Sequence, residues 1–132
     1  MLRIQGSGRG TLSMDYNFFM AQSRAAYDPR RYETMREQTL QTYLQYFKSN
    51  YAGNRAPLHI GHHFMNYAGG AYNEALKSFA RAVCGLPEVR CVSYAKLADF
   101  MDQQKPETLA AYRRGDFAHV ATPALKVAQG SR

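Results

Sequence analysis

The sequence has no tryptophan, only two cysteines and no long apolar run, although 45% of its 132 residues are hydrophobic. A transmembrane helix needs about 20 consecutive apolar residues, so no membrane span is expected. The first ten residues lack the apolar core of a signal peptide, and the chain as given is expected to stay in the cytoplasm. Its length allows one domain at most, and its 20% charged residues are ordinary for a globular protein.

The two cysteines, Cys84 and Cys91, are separated by a turn-like linker. A disulfide between them would join the end of a helix to the next strand, as is common in secreted proteins. Two reduced, half-buried thiols are an equally acceptable interpretation of the same spacing. No Cys-x-x-Cys pair occurs, so the chain lacks that type of zinc site.

Acidic residues are few, 10 against 17 lysines and arginines, which gives a formal charge of +7. This excess favours acidic partners such as nucleic acid, anionic lipid or an anionic polymer. The charges are dispersed, however, and the densest groups are the pairs Arg30-Arg31 and Arg113-Arg114. No recognisable nucleic-acid-binding motif appears, so sequence-specific nucleic-acid binding is not expected. The ten tyrosines suit a polar, sugar-binding groove, or they are half-buried on helices.

Strands and helices alternate along the predicted chain. Short strands are predicted at residues 11–14, 56–64 and 89–92. Amphipathic helices are predicted at residues 30–48, 71–84 and 93–103, with a last helical turn at 106–113. This order indicates an α/β fold with a parallel sheet. Three strands leave open edges, which suggests a piece of a larger barrel or an oligomer that completes it.

Three of the four histidines lie close together, His59, His62 and His63. In a parallel α/β fold the reactive residues gather at the carboxyl ends of strands, and there Asp15 and His62 would share one rim. A His62–Asp15 pair is a plausible acid/base unit, with the carboxylate fixing the imidazole tautomer. A turn-forming role for Asp15 is the alternative.

A metal site is the other interpretation of the histidines. On a strand His59 and His63 would share one face and His62 would take the other, so the three cannot converge on one ion. Nucleophilic catalysis has little support, because neither a Gly-x-Ser-x-Gly motif nor a phosphate-binding glycine loop occurs.

Several stretches taken together resemble the C-terminal part of polysaccharide deacetylases, the NodB-homology enzymes that include chitin and peptidoglycan deacetylases. These stretches are residues 12–18, 54–64, 69–72, 80–84, 87–92 and 97–100. The resemblance implies a partial (β/α) barrel over residues 11–104, after a flexible segment 1–10 and before a weakly structured tail 105–132. It also implies metal-dependent hydrolysis of N- or O-acetyl groups on an acetylated polysaccharide, chitin-like or peptidoglycan-like.

The same resemblance assigns roles to residues. His62 becomes the general acid that protonates the departing amine, with His63 in its place if the register slips by one. Asp15 orients that histidine. Leu58 and Phe64 would help to wall the acetyl pocket.

The chain also departs from the family. The Thr-Phe-Asp-Asp motif, which supplies the base and a zinc ligand, is absent, and no His-x-x-x-His motif for the other zinc ligands occurs outside the histidine stretch 59–63 that matches the late motif. No cofactor site is therefore expected within this chain, and a catalytically incomplete later half of such a domain is expected. One alternative is a non-catalytic module that binds a carbohydrate or an acidic polymer. The other is a subunit whose barrel is completed by a partner chain, and a homo-oligomer is one such assembly. Localisation stays open, because the family is usually secreted, periplasmic or on the cell surface whereas no signal peptide is predicted for this chain.

Overall fold

A computed structural model of the chain describes residues 1–118. Five α-helices run in chain order: α1 (Asp15–Ser23), α2 (Tyr32–Ala52), α3 (Ala71–Val83), α4 (Tyr94–Asp102) and α5 (Pro106–Arg113). Two short strands, β1 (Leu2–Arg3) and β2 (Gly10–Thr11), pair antiparallel. Two 3-10 turns, Pro29–Arg31 and Tyr67–Gly70, precede α2 and α3. None of the helices in this part of the chain is long and apolar enough to cross a bilayer.

The predicted α/β fold, a partial (β/α) barrel with about three strands and three helices, is wrong. The structure is mostly helical, with 57% helix and 5% strand. Of the first predicted strand only Thr11 lies in a strand. In the second, residues 56–64, only Gly61 pairs, through an isolated parallel bridge to Met14. The third, residues 89–92, forms no strand.

Short apolar runs did not become strands because a strand needs a neighbour for its backbone groups. The segment around Pro57 lies against helices instead of other strands, since Leu58 and Ile60 pack on the helical core. Proline also has no N–H to donate to a sheet. Val89 donates its N–H to Leu86 O and closes a turn. The apolar residues of these runs were therefore wrongly interpreted as sheet, and several of them, such as Leu12, Phe64 and Val92, are exposed.

Helical periodicity was the more reliable signal. The predicted helices 30–48, 71–84 and 93–103 correspond to α2, α3 and α4, and the last predicted turn corresponds to α5. Helix α1 was missed, because its residues were assigned to a loop that follows a strand. Asp15 lies in the first turn of α1, where the positive end of the helix dipole favours a carboxylate. The helix ends where Arg24 adopts a left-handed conformation with φ 55°.

Aromatic side chains form the centre of the core between α1, α2 and α3. The ring of Tyr43 lies 5.3 Å from that of Phe18 and 5.7 Å from that of Phe79, both at steep angles. Phe18, Tyr43 and Tyr72 are fully buried. Burial of each such side chain contributes roughly 1.5–3 kcal/mol, so these helices hold one another in place. We call residues 1–83 the core body.

The remaining described residues, 84–118, are called the C-terminal arm. It begins with a disulfide between Cys84 and Cys91, so the interpretation of two free thiols is wrong. Ser93 accepts a hydrogen bond from the Lys96 N–H and so caps α4. Within the arm only Gln104 and Ala111 are buried. The part of the predicted tail beyond residue 118 lies outside the described residues.

Candidate acid/base site

A single isolated β-bridge between Met14 and Gly61, rather than a sheet, brings Asp15 next to the histidine segment, residues 59–63. The Asp15 N–H donates to Gly61 O at 3.2 Å, and the Gly61 N–H donates to Ser13 O at 2.9 Å. These two bonds place the start of α1 beside the residues that follow Gly61. The carboxylate of Asp15 is buried, with 1% of its surface exposed.

Three donors surround that buried carboxylate. Oδ1 lies 2.6 Å from His63 Nδ1 and also accepts the Tyr16 N–H at 2.7 Å. Oδ2 accepts the backbone N–H of His63 at 2.9 Å. A carboxylate needs such donors when it is removed from water. The same bonds fix both the backbone and the ring of His63, so Asp15 orients this imidazole.

His63 presents its other ring nitrogen to solvent. Because Nδ1 donates its hydrogen to Asp15, the neutral ring carries no proton on Nε2. The side chain is 48% exposed, and residues 1–118 offer Nε2 no hydrogen-bond partner. Its ring contacts the edge of Tyr67 at 5.8 Å. A ring held at one nitrogen and open at the other can take up or release a proton at the open one.

His62 is occupied at both nitrogens. Nδ1 lies 3.1 Å from Asn73 Oδ1, and Nε2 lies 3.1 Å from the Tyr43 hydroxyl. The Asn73 amide donates from its nitrogen to Met65 O and Asn66 Oδ1. Its oxygen therefore faces His62, and Nδ1 carries the hydrogen.

The second bond of His62 has a defined direction as well. Burial raises the pKa of the Tyr43 phenol, so the hydroxyl keeps its proton. Tyr43 consequently donates to Nε2, which has no hydrogen in this tautomer. His62 thus joins α2 to α3 through two hydrogen bonds and has no nitrogen free for a ligand.

The partner of Asp15 differs from His62, the histidine that the sequence indicated. Asp15 binds His63, the residue that a one-residue slip of register had kept as the alternative. The bridge ends at Gly61, and the chain beyond it turns instead of continuing as a strand. Strand alternation therefore does not decide which ring faces Asp15. His59 lies apart, exposed, with its ring 5.6 Å from that of Tyr94.

The two predicted pocket residues lie in different environments. Leu58 is partly buried and packs against the core, whereas Phe64 is fully exposed at 108%. Two partners of His62 were not predicted as site residues, Tyr43 and Asn73. Tyr43 belongs to the buried stripe of α2 and Asn73 to the first turn of α3, so no local signal distinguishes them from ordinary helix residues.

The residues present do not fit the zinc site that the resemblance implies. Nowhere in residues 1–118 do three His, Cys, Asp or Glu side chains gather to hold a metal ion. Asp15 and His63 are two possible ligands, but they bind each other. Cys84 and Cys91 are joined in the disulfide. No chemical step is therefore assigned to a metal held by this part of the chain.

Comparison with models of known protein families, with curated proteins and with solved structures finds no match to this chain.

Proposed function

We propose that this chain supplies the proton-transfer part of a polysaccharide deacetylase site. His63 is the general acid, and Asp15 is the carboxylate that orients it. The observation that carries the proposal is the buried Asp15 bound to Nδ1 of a half-exposed imidazole whose Nε2 has no hydrogen-bond partner within residues 1–118. The substrate class is an acetylated sugar polymer, chitin-like or peptidoglycan-like.

The reaction requires such a group. Water adds to the acetyl carbonyl, the bond between the carbonyl carbon and the sugar nitrogen breaks, and acetate leaves. The departing nitrogen must receive a proton, which protonated Nε2 of His63 would donate. A general acid of this kind typically contributes about 10²–10⁴-fold in rate. Asp15 holds the ring throughout, because it stays bound to Nδ1 in both protonation states.

Aromatic rings beside the imidazole support a sugar as the ligand. Tyr67 contacts both His63 and Tyr16, whose ring lies 5.3 Å away. Tyr16 and Phe64 are exposed. Aromatic rings offer flat apolar faces, and the tyrosine hydroxyls add a polar group. The proposal assigns the activation of water to metal-binding residues on a segment outside this chain.

The test is complementation in trans. The 132-residue chain is mixed with zinc, acetylated chito-oligosaccharide and a separate polypeptide that carries the Thr-Phe-Asp-Asp and His-x-x-x-His metal-binding motifs, and acetate is measured. We expect no acetate from the chain alone and release from the mixture. His63→Gln should lower that release by about 10²–10⁴-fold. His59→Gln, a change at an exposed histidine away from Asp15, is the matched control and should leave release unchanged.

Three results would contradict parts of this proposal. Acetate release by the isolated chain with bound zinc would refute catalytic incompleteness. Full activity of a folded His63→Gln variant would remove His63 as the acid. Absence of release from the mixture, with both polypeptides folded and bound to each other, would reject the deacetylase assignment.

A second candidate is a non-catalytic module that binds sugars. It is favoured by the core body, which closes an aromatic core from α1, α2 and α3 without any added segment. A folded, metal-free chain that binds chito-oligosaccharide, with no acetate release in any mixture, would support this second function. The disulfide favours an oxidising compartment for either function, such as the cell surface or periplasm.

A further inference from the structure

A polar groove lies at the C-terminal end of α1, whereas Asp15 lies at the N-terminal end of the same helix. Its lining includes three arginines and several neutral polar side chains, and its volume is about 520 Å³. The arginines are Arg9, Arg24 and Arg31, and the neutral residues include Ser7, Ser23 and Gln38. Helix α1 has nine residues, so at 1.5 Å per residue the groove is roughly 12 Å along the helix from Asp15.

Two of the arginines are anchored side by side. Arg9 Nη1 donates to Ala21 O at 2.8 Å, and Arg31 Nη2 donates to Gln22 O at 3.0 Å. These carbonyls are consecutive and belong to the last turn of α1, where the negative end of the helix dipole attracts cations. Each guanidinium has five N–H donors and uses one of them here. Capping therefore fixes the two groups without exhausting their donors.

Arg24 differs from both, because its side chain makes no hydrogen bond or ion pair within residues 1–118. It follows α1 directly, in a left-handed conformation with φ 55° and ψ 40°. Its role in ending the helix is carried by its backbone N–H, which donates to Met20 O and Phe19 O. The side chain lines the groove with its charge unused.

The positive charge of the groove is only weakly offset in the described residues, by the Asp28 carboxylate, which acts on Arg31 without forming an ion pair with it. Arg30, Arg36 and Arg55 each form an ion pair with an aspartate or glutamate. Within residues 1–118 the three groove arginines form none. Asp28, the acidic residue close in sequence to Arg31, is already bound by Arg30. Three guanidinium charges thus converge on one groove, which is where a ligand with a negative charge would gain most.

We infer that this groove binds the carboxylate of an acidic sugar. Guanidinium groups bind carboxylates through paired N–H donors, and the hydroxyls of Ser7 and Ser23 and the amide nitrogen of Gln38 can bond sugar hydroxyls. The lining has no aromatic ring on which a nucleic-acid base could stack and no apolar side chain to enter a lipid layer. The inference rests on the proposed function, because it adds an acidic sugar unit to the polymer proposed as the substrate. Binding of that unit to the groove can be measured without acetyl hydrolysis.

The experiment is calorimetric titration of the full 132-residue chain at low salt. The probes are a galacturonate oligomer, a neutral chito-oligosaccharide of the same length and inorganic phosphate. We expect the galacturonate oligomer to bind at least tenfold more tightly than the neutral oligomer. Arg24→Gln should weaken its binding on the order of tenfold, the usual effect of losing one charge-assisted bond. Arg24→Lys should retain more of the affinity because it keeps the charge.

The matched control is Arg90→Gln, which removes one exposed positive charge from the C-terminal arm. It should change the affinity less than twofold. An equal loss in Arg90→Gln and Arg24→Gln would overturn the inference, because it would indicate diffuse attraction to a basic protein. Equal affinity for the charged and neutral oligomers would also overturn it.

Two further results separate other ligands from the proposed one. Inorganic phosphate that competes at the same concentration as the galacturonate oligomer would show a phosphate site and reject the sugar. Tighter binding of a single-stranded oligonucleotide would reject it as well. Thermal melts of each variant check the fold, and Arg24 is the preferred position because its side chain has no structural bond to lose in the described residues.

Discussion

The core body and the C-terminal arm are both helical, but different interactions hold their helices. In the body, α2 and α3 pack closely and enclose aromatic rings from three helices. In the arm, α4 has no buried residue, and its apolar side chains remain partly exposed. The body is therefore stabilised by contacts between residues distant in sequence. The arm touches the body at its start, for example through the Arg55–Glu88 ion pair, and otherwise depends on local features, such as the Ser93 cap, the proline that opens α5 and the Cys84–Cys91 disulfide.

The difference explains where a functional site could form. Asp15 is buried and His63 is ordered because the body positions α1 against the segment that follows α2. Exposed polar groups in the arm have water as an alternative partner, and an ion pair such as Lys96–Asp99 gains little there. Preorganised side chains need a packed environment, and the predictions below test how strongly the two regions differ.

The largest effect is expected for aromatic truncation. Phe18→Ala removes a fully buried ring from the body and should lower the free energy of unfolding by about 3–5 kcal/mol. Phe100→Ala in the arm removes a partly exposed ring and should cost about 1 kcal/mol or less. Urea denaturation followed by circular dichroism measures both. Similar costs for the two variants would show that the arm shares the cooperative core.

The loss of a buried carboxylate should have an intermediate effect. Asp15→Ala leaves the N–H of Tyr16, the N–H of His63 and the His63 ring without their acceptor. We expect the free energy of unfolding to fall by about 2–3 kcal/mol. This loss is smaller than that for a pair in which both side chains are buried, because His63 is half-exposed. Asp99→Ala, whose partner Lys96 is exposed, should cost about 0–1 kcal/mol. Chemical denaturation of both variants checks this, and an equally small cost for Asp15→Ala would contradict a structural role of the Asp15 hydrogen bonds.

The smallest effect on the body is expected from opening the disulfide. The crosslink closes a short loop, with a sequence separation of 7, and chain-entropy arguments give such loops about 2–3 kcal/mol. Because the loop lies in the arm, the Cys84→Ser/Cys91→Ser variant should lose amide protection in α4 and α5. Protection in α2 and α3 should change little. Hydrogen exchange followed by mass spectrometry resolves the regions, and uniform loss across both would show one cooperative unit.

The sequence determined the helices whose apolar stripes and caps are local. Residues of α2 and α3 repeat at helical spacing, Ser93 caps α4, and the histidine segment with Asp15 could be selected as a candidate acid/base site. Cys84 and Cys91 were identified as a possible pair, but either redox state suited their spacing. These features depend on residues a few positions apart, so a single sequence contains enough information to predict them.

Only the tertiary structure decided the rest. Whether residues 56–64 form a strand depends on which elements lie beside them, and here helices occupy that place. Which histidine faces Asp15 depends on a turn after Gly61. The tautomer of His62 depends on Tyr43 in α2 and Asn73 in α3. The groove arginines come together only when α1 ends beside the loop that contains Arg9. Each of these outcomes depends on which distant segments pack against each other. A single sequence does not determine this, because the hydrophobic effect is non-directional and does not specify the partner of an apolar segment.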